Sequence, residues 1–304
     1  MKLLVTGATG YVGQNLLPML LESGHEVMTL NRDEDKARQL FSALACPRLK
    51  HSAIKNMETA VHSFDPKVVI HLATLSSSRD DKEIVRPMIE ANILFGIDLL
   101  QTLQSCPSLQ LFINLGSFAE YRFNDEVLKD AYLYTASKSA FRHFVDYFAE
   151  KNSFKYLTLV PFTIYGYQDR TKKIIDYIID SIEADTPIDL SPGKQILDFI
   201  HVHDICRFFP LLLSSWSQTL DLSQGAVIEL GSGEGNSLRD VAQLVEDIGG
   251  KPAQINWGGR EYRPLDVMYA VADLTLARRF HWTAEISLKQ GIAQRLAVRD
   301  RPTS

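Results

Sequence analysis

Cysteine is scarce in this chain: Cys46, Cys106 and Cys206 are the whole supply in 304 residues. Odd in number and far apart, they exclude a disulfide framework and give no metal-ligand spacing, so a reducing cytoplasmic setting and no metal are expected. Long apolar runs are missing as well, and nothing approaches a membrane span. The first apolar run, Leu3-Leu4-Val5, breaks into Gly7 too early to make a signal peptide. There is no basic block, and the net charge is −5, which argues against nucleic acid or an acidic membrane as a partner. Repeats and low-complexity stretches are absent too. The remaining composition is that of an ordinary soluble globular protein, of a length that suits one large domain or two intimate ones.

The chain opens MKLLVTGATGYVGQNLL. Glycines at 7, 10 and 13 follow the apolar run, and Leu16, Leu17, Leu20 and Leu21 then recur at helical spacing, so the stretch reads as strand, tight turn and helix. Gly7 lets the chain turn sharply. Gly10 lets the backbone approach a pyrophosphate that a Cβ would strike, and Gly13 lets the helix pack closely on the strand. The helix N-terminus aims N–H groups and a partial positive charge at the phosphates. With a second strand at Glu26–Leu30, the arrangement points to a dinucleotide cofactor held by Gly7, Thr9, Gly10, Tyr11 and Val12. That second strand runs into Asn31-Arg32, where NAD-binding folds of this type carry an Asp or Glu for the ribose 2′-hydroxyl. Without the carboxylate, and with a guanidinium beside the site, NADP(H) is favoured and NAD(H) is possible.

Further along, the pattern predicts a charged helix over Asp33–Leu44, a weak strand over Leu49–Ile54 and a buried strand over Val68–Ala73, where His71 reads as a core histidine. A long helix is expected from Glu90, then a strand Leu111–Leu115 that delivers Gly116-Ser117, a helix from about Tyr132 to Lys151 and a strand Leu157–Val160. These alternations predict an α/β fold, a doubly wound parallel sheet of Rossmann type, over 1–162 and completed by about 197–250, with Asp198–Ile205 returning to the core sheet. A smaller C-terminal substrate-binding lobe is expected over 163–196 and 251–304. His201 and His203 alternate on the expected strand, but no further ligand is flagged near them, so no metal site is assigned.

Tyr134 and Lys138 stand four residues apart and share a helix face. A free phenol titrates near ~10, too high for easy proton exchange at neutral pH, and a nearby ammonium is expected to lower it. Ser117 can hydrogen-bond both the phenol and a substrate oxygen, which together make a general acid/base beside a hydride carrier. Tyr147 and Lys151 have the same spacing, so spacing alone leaves two candidate pairs.

The block TGATGYVG, with glycines spaced G-x-x-G-x-x-G, resembles the extended short-chain dehydrogenase/reductase superfamily, that is, the NAD-dependent epimerase/dehydratase family, and the resemblance covers nearly the whole chain. It implies that Ser117, Tyr134 and Lys138 are catalytic, because the Ser137-Lys138 doublet and the distance from Ser117 follow the family pattern. It further implies that Leu72, Ala73 and Thr74 pass under the cofactor, that Asn92 braces the active-site backbone and that Pro161 borders the cofactor. Thr74, Ser76 and Ser77 follow the end of the Val68–Ala73 strand, within reach of cofactor or substrate but equally readable as ordinary loop hydroxyls; the candidate substrate contacts are Ser76, Ser117, Thr163 and Arg263, with Arg263 implied at the diphosphate. A homodimer paired through the helices holding Asn92 and Tyr134 is implied as well.

Within the superfamily, sugar-nucleotide 4,6-dehydratases place Asp and Glu directly after the catalytic hydroxyl residue. Here Phe118 and Ala119 stand there, with Glu120 one residue out of register, so a dehydratase is not expected. Leu197 replaces an Arg that commonly meets the diphosphate. HLAT, FINLGSF and GKQILDFIHVHDI resemble the CDP-abequose synthase group of 4-keto-6-deoxy sugar reductases. The resemblance therefore implies an NADPH-dependent ketoreductase acting on a nucleotide-diphosphate sugar. An NAD-dependent nucleotide-sugar 4-epimerase is the alternative, and a non-catalytic NADP-binding sensor on the same fold is a third reading.

Overall fold

Six of the expected strands become neighbours in one sheet in the computed structural model, which describes residues 1–125, 127–166 and 171–299. These are β1 (Lys2–Thr6), β2 (Glu26–Asn31), β3 (Leu49–Ala53), β4 (Val68–His71), β5 (Leu111–Leu115) and β6 (Lys155–Pro161). With the strand Ala226–Leu230 at one edge they make a seven-stranded sheet, in the order Ala226–Leu230, β6, β5, β4, β1, β2, β3. The β1–β2, β1–β4, β2–β3, β4–β5 and β5–β6 pairs are all parallel. The chain winds from β1 out to β3, returns to the other side of β1 at β4 and winds the opposite way. This is the expected doubly wound sheet, and its winding reverses between β1 and β4, where the carboxyl ends of open sheets leave a crevice.

The helices between these strands are α1 (Tyr11–Glu22), α2 (Glu34–Leu40), α3 (Met57–Phe64), α4 (Lys82–Ile89), α5 (Phe95–Leu103) and α6 (Leu133–Asn152). Two differ from the sequence reading. α2 stops at Leu40, and Ser42–Leu44 is a separate 3-10 turn. The helix expected from Glu90 begins at Lys82, where the Asp81 carboxylate accepts the Glu83 N–H at 3.2 Å as an N-cap. Pro87 lies inside α4, and the helix runs through it into a π-helical turn, Glu90–Leu94, that leads on to α5. Such wide turns take up local strain and are frequent at functional sites.

Contacts divide the described residues into two units, one of 1–120, 132–160 and 206–228, the other of 121–131, 161–205 and 229–299. Positions 167–170 and 300–304, which the sequence assigns to the lobe, lie outside the described residues. In the first unit Leu4, Val69, Phe112, Leu99, Phe141 and Phe148 share a core. Ile178, Ile179, Phe199, Val241, Val245 and Ile292 share the core of the second.

The strand Ile196–His201 does not return to the main sheet. It joins Gly235–Ser237, Tyr269–Ala270 and Thr163–Tyr165 in a separate four-stranded sheet, and the chain turns helical at Val202. The anchor is the fully buried Asp198, whose carboxylate accepts the N–H groups of Ser232 (2.7 Å), Gly233 (2.9 Å) and Ala272 (3.2 Å). His201 therefore ends a strand while His203 sits on the following helix, and the two do not alternate on one strand. Among the described residues no group of three or more His, Cys, Asp or Glu side chains is arranged to hold a metal, and no helix is long and apolar enough to cross a membrane.

Two core positions make testable demands. A Cβ on Gly96 of α5 would lie 2.3 Å from the ring of Phe141, itself buried in α6. Gly→Ala inside a helix ordinarily stabilises by about 1 kcal/mol, but overpacking a filled core costs about 1–3 kcal/mol. Gly96→Ala is therefore expected to lower stability by up to about 2 kcal/mol in urea unfolding. His71 is buried among Phe95, Phe112 and Phe141, and burial first, then the Lys138 charge, depresses its pKa to about 3. The unfolded chain takes up this proton first as pH falls, so the contribution of neutral His71 is present above the unfolded value near 6.5. It is lost towards pH 3, at up to about 1.4 kcal/mol per pH unit. Urea midpoints should fall from pH 6.5 to pH 5, and a folded His71→Asn variant should lack that part of the slope.

Candidate active site

The three N-terminal glycines each occupy a distinct steric position. Gly7 has φ +69°, and a Cβ on it would lie 2.6 Å from the Ala73 nitrogen and the Leu72 carbonyl carbon. The turn after β1 thus presses on the backbone that leaves β4, placing Leu72 and Ala73 directly beside it. The Thr6 hydroxyl accepts the Ala73 N–H at 3.2 Å and meets His71 Nδ1 at 3.0 Å, fastening the two strand ends together. A Cβ on Gly13 would lie 2.5 Å from the Gly7 oxygen and the Ala8 Cα, so α1 packs against the turn without a side chain between them. Gly10 is different: a Cβ there would meet only the Gly7 oxygen, at 3.1 Å, and no other counted atom within 4 Å. Its outer face is exposed. It is also the N-cap of α1, no side chain caps that end, and the first turn carries no acid. A cradle that is open at Gly10, closed at Gly7 and Gly13, and without an acid in the first turn of its helix fits the pyrophosphate of a dinucleotide. Thr9, Tyr11 and Val12 lie around it, the Thr9 carbonyl accepting the Gln14 side-chain N–H at 2.7 Å.

At the end of β2 the Asn31 side chain turns inward. Its amide donates to the Thr29 hydroxyl at 2.8 Å and the Thr29 carbonyl at 3.1 Å, while its Oδ1 is buried with no hydrogen-bond partner among the described residues. Arg32, next in the chain, is exposed.

Asn92, in the π-helical turn, is 2% exposed and connects three segments. Its Oδ1 accepts the Leu75 N–H at 2.6 Å and the Thr74 hydroxyl at 3.1 Å, and its Nδ2 donates to the Leu75 carbonyl at 3.2 Å and the Ser137 hydroxyl at 2.9 Å. The loop after β4 is thereby tied to α6, where the Ser137 hydroxyl donates to the Tyr134 carbonyl at 2.6 Å.

α6 starts where the Tyr132 N–H meets the Thr135 hydroxyl at 3.1 Å, and it carries Tyr134 and Lys138. Lys138 is 3% exposed, and its ammonium donates to the Leu115 carbonyl at the end of β5, at 2.8 Å. Burial lowers its pKa to about 8; the Glu120 charge opposes this and Arg142 adds to it. Tyr134 is half-buried as a residue, but its phenol end is enclosed. Burial first, and the Glu120 charge second, push the phenol up to about 12, against hydrogen bonds from the Thr74 and Ser76 hydroxyls. The phenol therefore moves opposite to the lowering expected from Lys138. The lysine ammonium is engaged with a carbonyl, and the net charge felt most by the phenol is that of a carboxylate.

Ser117 follows β5 and is half-buried; its backbone N–H donates to Glu120 Oε1 at 2.6 Å. Sequence reasoning treated Glu120 only as an acid out of register and missed Arg142, whose Nε lies 2.9 Å from Glu120 Oε2. The available signals were slight: an acid inside the apolar Phe118-Ala119-Glu120-Tyr121, and an arginine four residues after Lys138 on the same helix face. Tyr147, by contrast, is 59% exposed on α6, and Lys151 is exposed too. The structure joins Thr74, Ser76, Asn92 and Tyr134 through short contacts within the first unit, while Ser117 is held by Glu120 and Lys138 by the Leu115 carbonyl. Pro161 closes β6. Thr163 and Arg263 belong to the second unit, Thr163 with its Oγ1 buried and unpartnered among the described residues, Arg263 exposed.

Known proteins resemble this chain along nearly its whole length. It is 24% identical over 305 residues to CDP-abequose synthase of Salmonella muenchen, covering 98% of each chain. It is 25% identical over 296 residues to the enzyme of the same name from Yersinia pseudotuberculosis, covering 97% of this chain and 99% of that one. Among solved structures, UDP-glucuronic acid 4-epimerase from Bacillus cereus, in complex with UDP-glucuronic acid and NAD, has the same fold, with a TM-score of 0.85 at 23% identity over 98% of this chain and 99% of that one. A model of one family also matches residues 3–221, a span that runs from the glycine turn past the Tyr134 helix and takes in most of the chain. The chain is an oxidoreductase-type enzyme and belongs to the NAD dependent epimerase/dehydratase family.

Proposed function

We propose that the enzyme reduces the ketone of a nucleotide-linked 4-keto-6-deoxy sugar, using NADPH. The observation that carries this reading is the state of Tyr134. An enclosed phenol pushed up to about 12 stays in its protonated form at neutral pH, the form that an alkoxide, a stronger base than a phenolate, needs to find beside it as a carbonyl is reduced. The relatives named CDP-abequose synthase, matching end to end, support a nucleotide keto sugar as the substrate class.

Gly7, Thr9, Gly10, Tyr11 and Val12 would hold the pyrophosphate of the cofactor, and Leu72, Ala73, Thr74, Asn92 and Pro161 would line its path. When bound, a reduced nicotinamide supplies the hydride. Ser117 orients the carbonyl oxygen by hydrogen bonding, and Tyr134 donates its proton to that oxygen. Lys138, held by the Leu115 carbonyl, would supply a donor for the nicotinamide ribose. Ser76 and Thr163 contact the sugar, and Arg263 anchors the diphosphate. The absence of a carboxylate at Asn31, with Arg32 next to it, supports NADPH over NADH. A 4-epimerase that retains NAD is the second reading, favoured by the NAD-bound epimerase whose fold this chain shares. The enzyme works as a homodimer, paired through α4, α5 and α6, where Val85, Leu94 and Phe144 are exposed apolar residues.

Three measurements test this reading. Tyr134→Phe keeps the ring and removes the proton, so turnover with a 4-keto-6-deoxy nucleotide sugar should fall about 10²–10⁴-fold while NADPH binding persists; Tyr147→Phe should stay near wild type. A dead Tyr147 variant beside an active Tyr134 variant would put the site in the wrong place. Arg32→Ala should weaken NADPH by about 1.5–3 kcal/mol, the range for a hydrogen bond to a charged group, and leave NADH nearly unchanged; equal losses would show that Arg32 does not read the 2′-phosphate, and tightly retained NAD after purification would favour the epimerase. By light scattering the protein should be a dimer that Leu94→Asp with Phe144→Asp dissociates, and a wild-type monomer at assay concentration would defeat the pairing.

A further inference from the structure

Glu120 is fully buried, in the 3-10 turn Phe118–Glu120 that follows Ser117. A carboxylate survives such burial only when it is paired and hydrogen-bonded, and here every visible contact joins the Ser117 turn to α6. Oε1 accepts the Ser117 backbone N–H at 2.6 Å. Oε2 faces Arg142 Nε at 2.9 Å and accepts the Ser139 hydroxyl at 3.3 Å, both residues on α6. Gly116 leaves the room this needs: a Cβ on it would lie 2.7 Å from the Arg142 guanidinium, 2.8 Å from Glu120 Oε1 and 3.1 Å from the Thr158 methyl. The strand end that delivers Ser117 and the helix that delivers Tyr134 and Lys138 are thus joined by one buried ion pair.

We propose that Glu120, clamped by Arg142, is the positioning residue of this site: it holds the Ser117 turn in place against α6 and sets a fixed negative charge against the two groups that handle the proton. The inference rests on the assignment of Ser117, Tyr134 and Lys138 as the reducing site. The charged and titratable groups around that carboxylate are Arg142, Lys138 and Tyr134, all on α6; His71 on β4, which feels Lys138, stays neutral by burial. Burial raises the Glu120 carboxyl itself, while Arg142, the Ser117 N–H and Lys138 pull it back towards the ionised form. Its charge acts in one direction on both proton-handling groups, keeping the proton on the Tyr134 phenol and on the Lys138 ammonium, whereas Arg142 favours loss of the lysine proton. A carboxylate placed here favours the donor state of the site, the state that reduction of a carbonyl needs.

The test uses the full chain with Glu120→Gln, Glu120→Ala and the double variant Glu120→Gln/Arg142→Gln. Glu120→Gln keeps an acceptor for the Ser117 N–H and loses the charge. The basic limb of kcat/KM against pH, with NADPH and a keto sugar, should then move down by about one pH unit or more, and removing Arg142 as well should move it back up. A purely structural role would depress the rate equally at all pH values, so an unmoved limb in Glu120→Gln overturns the charge role. Hydrogen exchange of the Ser117 amide needs no substrate: it should quicken about tenfold or more in Glu120→Ala relative to Ile113 of β5, and unchanged exchange overturns the anchoring role. If Glu120→Ala does not fold, the same exchange measured in Glu120→Ala/Arg142→Met, which leaves neither an acceptor for the Ser117 N–H nor an unpaired buried charge, decides anchoring. If wild type reduces no keto sugar, the functional proposal fails, and the exchange data still decide whether Glu120 holds the turn.

Discussion

The contact between Gly7 and the backbone of Leu72 and Ala73 is the constraint on which the rest of the first unit depends. β1 and β4 are parallel neighbours, and the chain must leave their carboxyl ends in different directions at the point where the winding reverses. With φ at +69° and no room for a Cβ, only glycine lets the two exits lie against each other. The positions of α1, the open cradle at Gly10 and the path of the loop after β4 all follow. Asn92 then grips that loop at Thr74 and Leu75 and passes the restraint to Ser137, next to Lys138. A run of short polar contacts thus connects the nucleotide turn to the helix that bears the reactive phenol.

Burial shifts the two candidate catalytic groups of that helix, Tyr134 and Lys138, in opposite directions. It raises Tyr134 and lowers Lys138 because desolvation penalises whichever form is charged, the anion in one case and the cation in the other. Taken alone, burial favours the uncharged form of the lysine. Glu120 is the counterweight for the lysine and reinforces the protonated phenol. A buried ion pair of this kind contributes little net stability, because desolvation offsets most of the attraction. What it supplies at the end of β5 is position and sign of charge.

Much of the first unit was legible in the amino-acid order because its signals are local. The glycine turn, the apolar strands and the four-residue step from Tyr134 to Lys138 each depend on neighbours within a turn or two of chain. Signals weakened where two solutions satisfy the same local pattern. The helix expected from Glu90 starts earlier, at Lys82, because a capping Asp81 and a wide π turn join that stretch to it. Phe199 and Ile200 suit a buried strand in any sheet, and only the hydrogen bonds that Ser232, Gly233 and Ala272 donate to Asp198 decide which sheet receives it.

The sequence by itself determined the doubly wound sheet, the dinucleotide turn and the residue types of the candidate site, because steric permission at glycine and hydrophobic periodicity are properties of short segments. Only the tertiary structure decided how those residues behave. It buried Glu120 beneath Ser117, brought Arg142 to it from another segment and turned the Lys138 ammonium to a backbone carbonyl, and by enclosing the Tyr134 phenol near the Glu120 charge it reversed the expected shift. Desolvation and through-space charge depend on what surrounds a group in three dimensions, and no spacing along the chain encodes that.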